Sequence, residues 1–224
     1  PDDVRPDRAL ADGDALLLVD VQPDFCPGGA LPVPGGDDVL APLNAWVAAA
    51  HARGVPVYAS RDWHPRGHPS FASEGGAWPP HCVQDTPGAA FHPGLPLPAE
   101  VVKVTKGTRF DKDQYSAFDE TGLARRLEER SIRRLWIGGL ALDVCVRATV
   151  LDALDAGFEV HLLADATRPV DAEEGRRTLA EVREAGAHVH GRCRFLEGPR
   201  NAVDQAGFET FPASDPPAFT PGKL

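Results

Sequence analysis

The chain lacks several features that would have directed its reading elsewhere. There is no basic excess: 23 Lys and Arg face 33 Asp and Glu, a formal net charge of -10. Phosphate backbones are bound through clustered Lys and Arg, and no basic stripe with interleaved aromatics occurs, so a nucleic-acid partner is excluded. Long apolar runs are also missing. Stretches such as Ala15 to Val19 fall far short of the roughly 20 residues that cross a bilayer, which excludes a membrane span. The opening PDDVRPDRALADGD is acidic and polar, the wrong chemistry for a secretory signal, and a cytoplasmic protein is expected. Cysteine is sparse, at positions 26, 82, 145 and 193 with no CxxC pair. Reduced thiols are therefore expected rather than a disulfide framework, and each is by default a small buried hydrophobe. Internal repeats and low-complexity tracts are absent.

What is present is an alternation of strand and helix signals over 224 residues, a length that suits one domain. Ala15–Val19, Val55–Ala59, Val101–Thr105, Leu135–Gly138 and Phe158–Leu163 are short runs rich in Val, Leu or Ile and bounded by Gly, Asp or Pro. They read as buried strands, with Ala187–His190 a sixth. Between them, Leu40, Leu43, Val47 and Ala50 recur at helical spacing, as do Val146, Val150, Leu151 and Leu154, and Ala172, Gly175, Leu179, Val182 and Gly186. Asp119 or Thr121 is suited to cap a further helix holding Leu123 and Leu127. Such alternation implies βαβ units and a parallel sheet with helices on both faces, an α/β three-layer class. Residues 61–100 break the rhythm with many Pro, Gly and His, as functional segments do. Residues 1–190 are expected to form the single domain, and 191–224 a tail rich in Pro and Gly.

Open parallel sheets bind ligands beyond the carboxyl ends of their strands. Asp20 follows the first expected strand, Asp62 the second, Lys106 the third, and Cys145 comes soon after the fourth. Gly138-Gly139 is expected to turn the chain sharply there, so that Cys145 opens a helix. Free N–H groups and the helix dipole would then favour a thiolate and receive an oxyanion. A nucleophilic cysteine needs a base, and Asp20 is the candidate, with Lys106 beside it. From spacing alone, an ordinary rim salt bridge accounts for Asp20 and Lys106 equally well. Asp62-Trp63-His64 sets a carboxylate and an imidazole two residues apart, and His81 can add a second nitrogen. That donor set suits zinc, iron or manganese rather than calcium. His51, His92, His161, His188 and His190 are assigned surface or structural roles.

Taken together, LLLVDVQPDFCPGGALPVPGG, SRDWHPRGHPSF, WPPHCVQDTPGAAFHP, VTKGTRFDKDQYSAF and GGLALDVCVRATVLDAL resemble the nicotinamidase/pyrazinamidase branch of the isochorismatase-like cysteine hydrolases. The likeness runs from about Ala15 to Val189. It implies a six-stranded parallel sheet of order 3-2-1-4-5-6 and a triad of Asp20, Lys106 and Cys145. It also implies one divalent metal ion, zinc foremost, on Asp62, His64 and His81, with His68 outside the ligand set. Phe25, Trp78 and Tyr115 match positions that surround the pyridine ring. Leu140–Ala141 matches a cis peptide that turns the Ala141 N–H to the oxyanion. Leu142 and Val144 depart from the branch, where Thr and then Tyr or His are frequent, and bear on substrate choice.

The implied reaction is hydrolysis of nicotinamide or pyrazinamide to the acid and ammonia through a cysteine thioester, in NAD salvage. The implied partner is a small-molecule amide, with a homo-oligomer left open. The nearest alternative is another amidase of the superfamily, acting on an N-carbamoyl compound, ureidoacrylate or maleamate. An isochorismatase needs neither the cysteine nor this metal set, and a catalytically silent binding protein would not need the complete triad.

Overall fold

The computed structural model describes residues 4–197. Six parallel strands form one sheet in the order β3-β2-β1-β4-β5-β6: β1 (Asp14–Val19), β2 (Val57–Asp62), β3 (Val102–Lys106), β4 (Arg134–Leu140), β5 (Glu159–Arg168) and β6 (His188–His190). Five α-helices accompany them: α1 (Pro6–Ala9), α2 (Leu40–Arg53), α3 (Leu123–Glu129), α4 (Arg147–Asp155) and α5 (Ala172–Glu184). All six expected strands and the four expected helices are found, with ends shifted by a few residues. The expected cap of α3 is displaced: Gly122 stands at the cap position, while Thr121 Oγ1 accepts the Leu123 N–H at 3.3 Å.

Two cores follow from the period-2 alternation of strand side chains. Leu16, Leu18, Trp136 and Leu163 pack with Leu43, Trp46 and Val47 of α2 on one face. Leu17, Val19, Leu135, Ile137 and Leu162 pack with Leu123, Leu127, Val146, Val150 and Val182 on the other. β1 is buried along its whole length, as a strand covered on both faces must be.

Gly138 and Gly139 are not the turn that the sequence suggested. Both lie within β4, where pairing with β5 is irregular between Ile137 and Gly139. Gly139 has φ +129°, and a Cβ there would stand 2.0 Å from the Val19 carbonyl oxygen, so close strand approach explains the glycine. The turn comes after Leu140, at a cis Leu140–Ala141 peptide followed by one π-helical turn, Leu142–Val146, that runs into α4.

Residues 63–101 carry no regular helix or strand longer than a three-residue turn. They are tied down by the single bridges His64–Val83 and Phe71–Trp78. Beyond β6 the chain stays packed for a short way: Cys193 is buried and Leu196 contacts the second core. The rest of the expected tail, from residue 198, lies outside the described residues. Among the described residues no helix is long and apolar enough to cross a membrane.

Candidate active site

The carboxyl ends of β1, β2 and β3 meet the π-helical turn at one point. Asp20 is the residue after β1, whereas Asp62 and Lys106 are the last residues of β2 and β3 and not the ones following, as the shorter expected strands had it. Register pairs Asp62 directly with Lys106. Asp20, Asp62, Lys106 and Cys145 are all buried. Lys106 Nζ lies 2.8 Å from Asp20 Oδ2, 2.6 Å from Asp62 Oδ1 and 3.5 Å from Cys145 Sγ. It also donates to the Gln114 carbonyl at 3.3 Å. Donor atoms of Asp20, Asp62 and Cys145 all lie within 4.8 Å of one another.

Burial lifts Asp20 above the ordinary carboxylate range; Lys106 pulls the other way, and Asp62 adds to the rise. Burial acts on Asp62 too, but there Lys106 and His64 overcome it and hold the carboxyl well below its usual range. Lys106 keeps its proton far past the normal lysine range, because Asp20, Asp62 and Cys145 outweigh its own desolvation. Cys145 is buried beside Asp20, Asp62 and Lys106. Its desolvation, with Asp20 and Asp62 nearby, raises it well above the usual range despite Lys106. Burial beside two carboxylates thus acts against the thiolate that a helix start would favour.

A second set of donors adjoins the first. Atoms of Asp62, His64 and His81, all three buried, lie within 4.8 Å of one another. His64 Nδ1–H donates to the Gly107 carbonyl at 2.9 Å, and His81 Nδ1–H to the Pro79 carbonyl at 2.7 Å. A ring that spends its Nδ1 proton on a carbonyl presents the Nε2 lone pair, the arrangement that metal-bound histidines use. Gly107 makes this approach feasible: at φ +67°, a Cβ would stand 2.5 Å from the His64 ring. His68 is different. Its Nδ1 accepts the Ser70 N–H at 3.3 Å and lies 2.7 Å from Ser70 Oγ, so the neutral ring carries its proton on Nε2. Its Nε2 is buried without a hydrogen-bond partner, and its ring centre is 4.2 Å from that of His64. Burial and the neighbouring His64 lower His68 to about 4, so it stays neutral. The cation-type donor set is therefore Asp62 with the Nε2 atoms of His64 and His81, whose Nδ1 protons go to carbonyls.

Both sets reach one cleft, through Cys145 of the first and Asp62, His64 and His81 of the second. Phe25, Trp78, Tyr115, Ala141 and Val144 line it together with Asp62, His64, His81 and Cys145. Trp78 Nε1–H donates to Tyr115 Oη at 3.2 Å, and the Phe25 ring stands 5.6 Å from that of His81. Of the two positions expected to shape the wall, only Val144 belongs to it; Leu142 is fully buried in the second core.

Several residues of the site were not foreseen. Asp113 lines the cleft and lies within 4.8 Å of donor atoms of His64 and His68. Gln22 clamps the Asp62 backbone, accepting its N–H and donating to its carbonyl, both at 2.8 Å. Ser60 Oγ donates to Asp20 Oδ1 at 2.7 Å. Gln114 Oε1 accepts the Gly107 N–H at 3.1 Å, which fixes the loop that holds His64. Leu31, Val33 and Val170 complete the apolar wall.

Comparison with known proteins agrees with this architecture. The chain is 39% identical over 199 residues to the nicotinamidase of Escherichia coli, covering 79% of this chain and 93% of that one. The pyrazinamidase of Pyrococcus horikoshii, solved in complex with zinc, superposes with a TM-score of 0.78 at 46% identity, covering 80% and 98% of the two chains. PnC1 of L. infantum, solved with nicotinate, gives 0.74 at 39% identity over 79% and 91%. The family model described as the isochorismatase domain matches residues 14–192, and the chain belongs to that family.

Proposed function

We propose that this protein is a nicotinamidase, hydrolysing nicotinamide and pyrazinamide to the carboxylic acid and ammonia in cytoplasmic NAD salvage. The single observation that carries the reading is the meeting of Lys106 with both Asp20 and Cys145 in one buried knot at the floor of an aromatic-lined cleft. Its relatives include the nicotinamidase of Escherichia coli and a homologue solved with nicotinate, the acid that nicotinamide would yield.

Asp20 takes the proton from Cys145 Sγ. A carboxylate lifted by burial is suited to that transfer, because its basicity is closer to the operating pH than that of a free carboxylate. Lys106 holds Asp20 in place and offsets the negative charge that arises on sulfur. The thiolate attacks the carboxamide carbon, and the N–H groups of Ala141 and Cys145 receive the oxyanion. Asp20 then returns the proton to departing ammonia, and water cleaves the thioester. Orientation and oxyanion stabilisation together supply on the order of 10 kcal/mol of barrier reduction.

Phe25, Trp78 and Tyr115 would clamp the ring. Asp62, His64 and His81 would hold one divalent ion, zinc foremost and iron or manganese as alternatives, which supplies a Lewis-acidic anchor for the ring nitrogen. Ammonia release from nicotinamide, pyrazinamide and several non-aromatic amides is the test. Turnover of the aromatic pair that disappears in Cys145→Ala supports the reading. Preference for a ureido or maleamate-type amide would move the protein to a neighbouring branch.

A further inference from the structure

A second group of histidines lies at the opposite edge of the sheet. Glu159 and His188 are the first residues of β5 and β6, so this edge holds the amino ends of the strands, whereas the cleft lies beyond their carboxyl ends. Register pairs His161 with His188 directly. Glu159, two residues before His161, shares its face. Donor atoms of Glu159, His161 and His188 lie within 4.8 Å of one another. The arrangement is oriented from behind: His161 Nδ1 is 2.8 Å from His190 Nε2, with the two rings only 4° from parallel, and His161 packs 4.2 Å from the Trp136 ring.

We propose that Glu159, His161 and His188 form a second divalent-cation site, of the borderline type that zinc occupies, with His190 as its orienting partner.

The proton inventory supports this. His161 Nε2 lies 2.8 Å from Glu159 Oε1, and an ionised carboxylate only accepts, so without a cation His161 must carry its proton on Nε2. His190 Nε2–H then donates to His161 Nδ1. A cation replaces the Nε2 proton, and the inner bond reverses so that His161 Nδ1–H donates to His190. This is the outer-shell pattern that fixes metal-bound histidines. Tetrahedral zinc with bonds near 2.0 Å sets its ligand atoms about 3.3 Å apart. Glu159 must therefore retreat from His161 by only about half an ångström, and it is exposed and free to do so. His188 is exposed as well, which leaves the site open to solvent. Arg134, paired across the strands with Glu159, has its guanidinium bound by Asp14 at 2.7 Å. Bound metal would fasten the three-residue edge strand β6 to β5.

Equilibrium dialysis of the untagged, chelator-stripped full chain against zinc, with metal analysis, reads the stoichiometry. We expect two zinc per chain, falling to one in His188→Ala and in Glu159→Gln, while His81→Ala retains the ion at this edge. Both edge positions are exposed, so the variants keep the fold. One zinc in the parent that persists in His188→Ala would overturn the proposal. So would two zinc in both parent and variant, since the second ion would then lie elsewhere. Loss of the only bound zinc in His188→Ala would support this site and count instead against an ion in the cleft.

Discussion

Lys106 Nζ stands 2.6 Å from Asp62 Oδ1, so the cation of the proposed triad and the carboxylate of the proposed metal cradle form one buried ion pair. The same ammonium reaches Asp20 at 2.8 Å. One side chain thus neutralises two buried carboxylates, and among the described residues no other lysine or arginine pairs with either. Register supplies the coupling, because Asp62 and Lys106 are paired across β2 and β3.

Removing that cation should therefore cost stability as well as rate. Lys106→Met leaves Asp20 and Asp62 buried with no cation, and breaking a buried pair from one side costs about 3–5 kcal/mol. Urea denaturation of metal-free protein measures this. A loss below about 1 kcal/mol, the range of surface pairs, would show that water reaches the knot and that Lys106 serves chemistry alone.

The four cysteines are all buried, so exposure does not single out the nucleophile. Burial pushes Cys26 up to about 11 and also raises Cys82, Cys193 and Cys145. Cys145 differs in lining the cleft. Iodoacetamide should therefore modify Cys145 first, with matching loss of activity. The rate in chelator-treated protein should still be climbing at pH 9, because only the thiolate reacts and this thiol is held above its usual range. Mass mapping decides the site; inactivation that tracks Cys26, Cys82 or Cys193 would sink the assignment.

For the metal, His64→Ala and His81→Ala should each lower bound zinc and raise KM for nicotinamide. His68→Ala should do less, since its Nδ1 rests on a serine hydroxyl whereas His64 and His81 each donate to a carbonyl. Metal analysis of the three variants is the measurement. Equal loss in all three would make the orphaned Nε2 of His68 a ligand.

The sheet was legible because a buried parallel strand is apolar and bounded, a mark plainest in β1 and β4 and weakest in β6, whose His-Val-His is nowhere buried. The candidate site was legible where its residues sit at strand ends: Asp20, Asp62 and Lys106 follow from the topology rule alone. What escaped the sequence depends on contacts across long separations. Gln22 holds Asp62 from 40 positions away, and Ser60 reaches Asp20 over the same distance. No local pattern distinguishes such a glutamine or serine from a surface one. Gly139 was misplaced for a related reason, since its need is the carbonyl of Val19 on a neighbouring strand. The opposing bias on Cys145 was not legible because the helix-start argument is local, whereas desolvation is set by everything packed around the sulfur.

The purpose of the metal separates a pyridine amidase from its relatives. Should the ion held by Asp62, His64 and His81 anchor a ring nitrogen, its benefit must depend on a substrate that has that nitrogen. Nicotinamide and pyrazinamide offer one meta to the carboxamide, and benzamide has the same outline without it. A site built around a polar anchor rejects the analogue lacking the partner by up to about 10⁴-fold, whereas shape alone gives roughly 10–200-fold. Benzamide should therefore be a poor substrate of the metal-loaded protein, and chelation should remove most of the discrimination. If the ion instead activated water, both amides would lose rate together and the ratio of their kcat/KM values would hold. An unchanged ratio would falsify the anchoring role. It would leave the chemistry proposed for Cys145 intact and return the non-aromatic amides to contention as substrates.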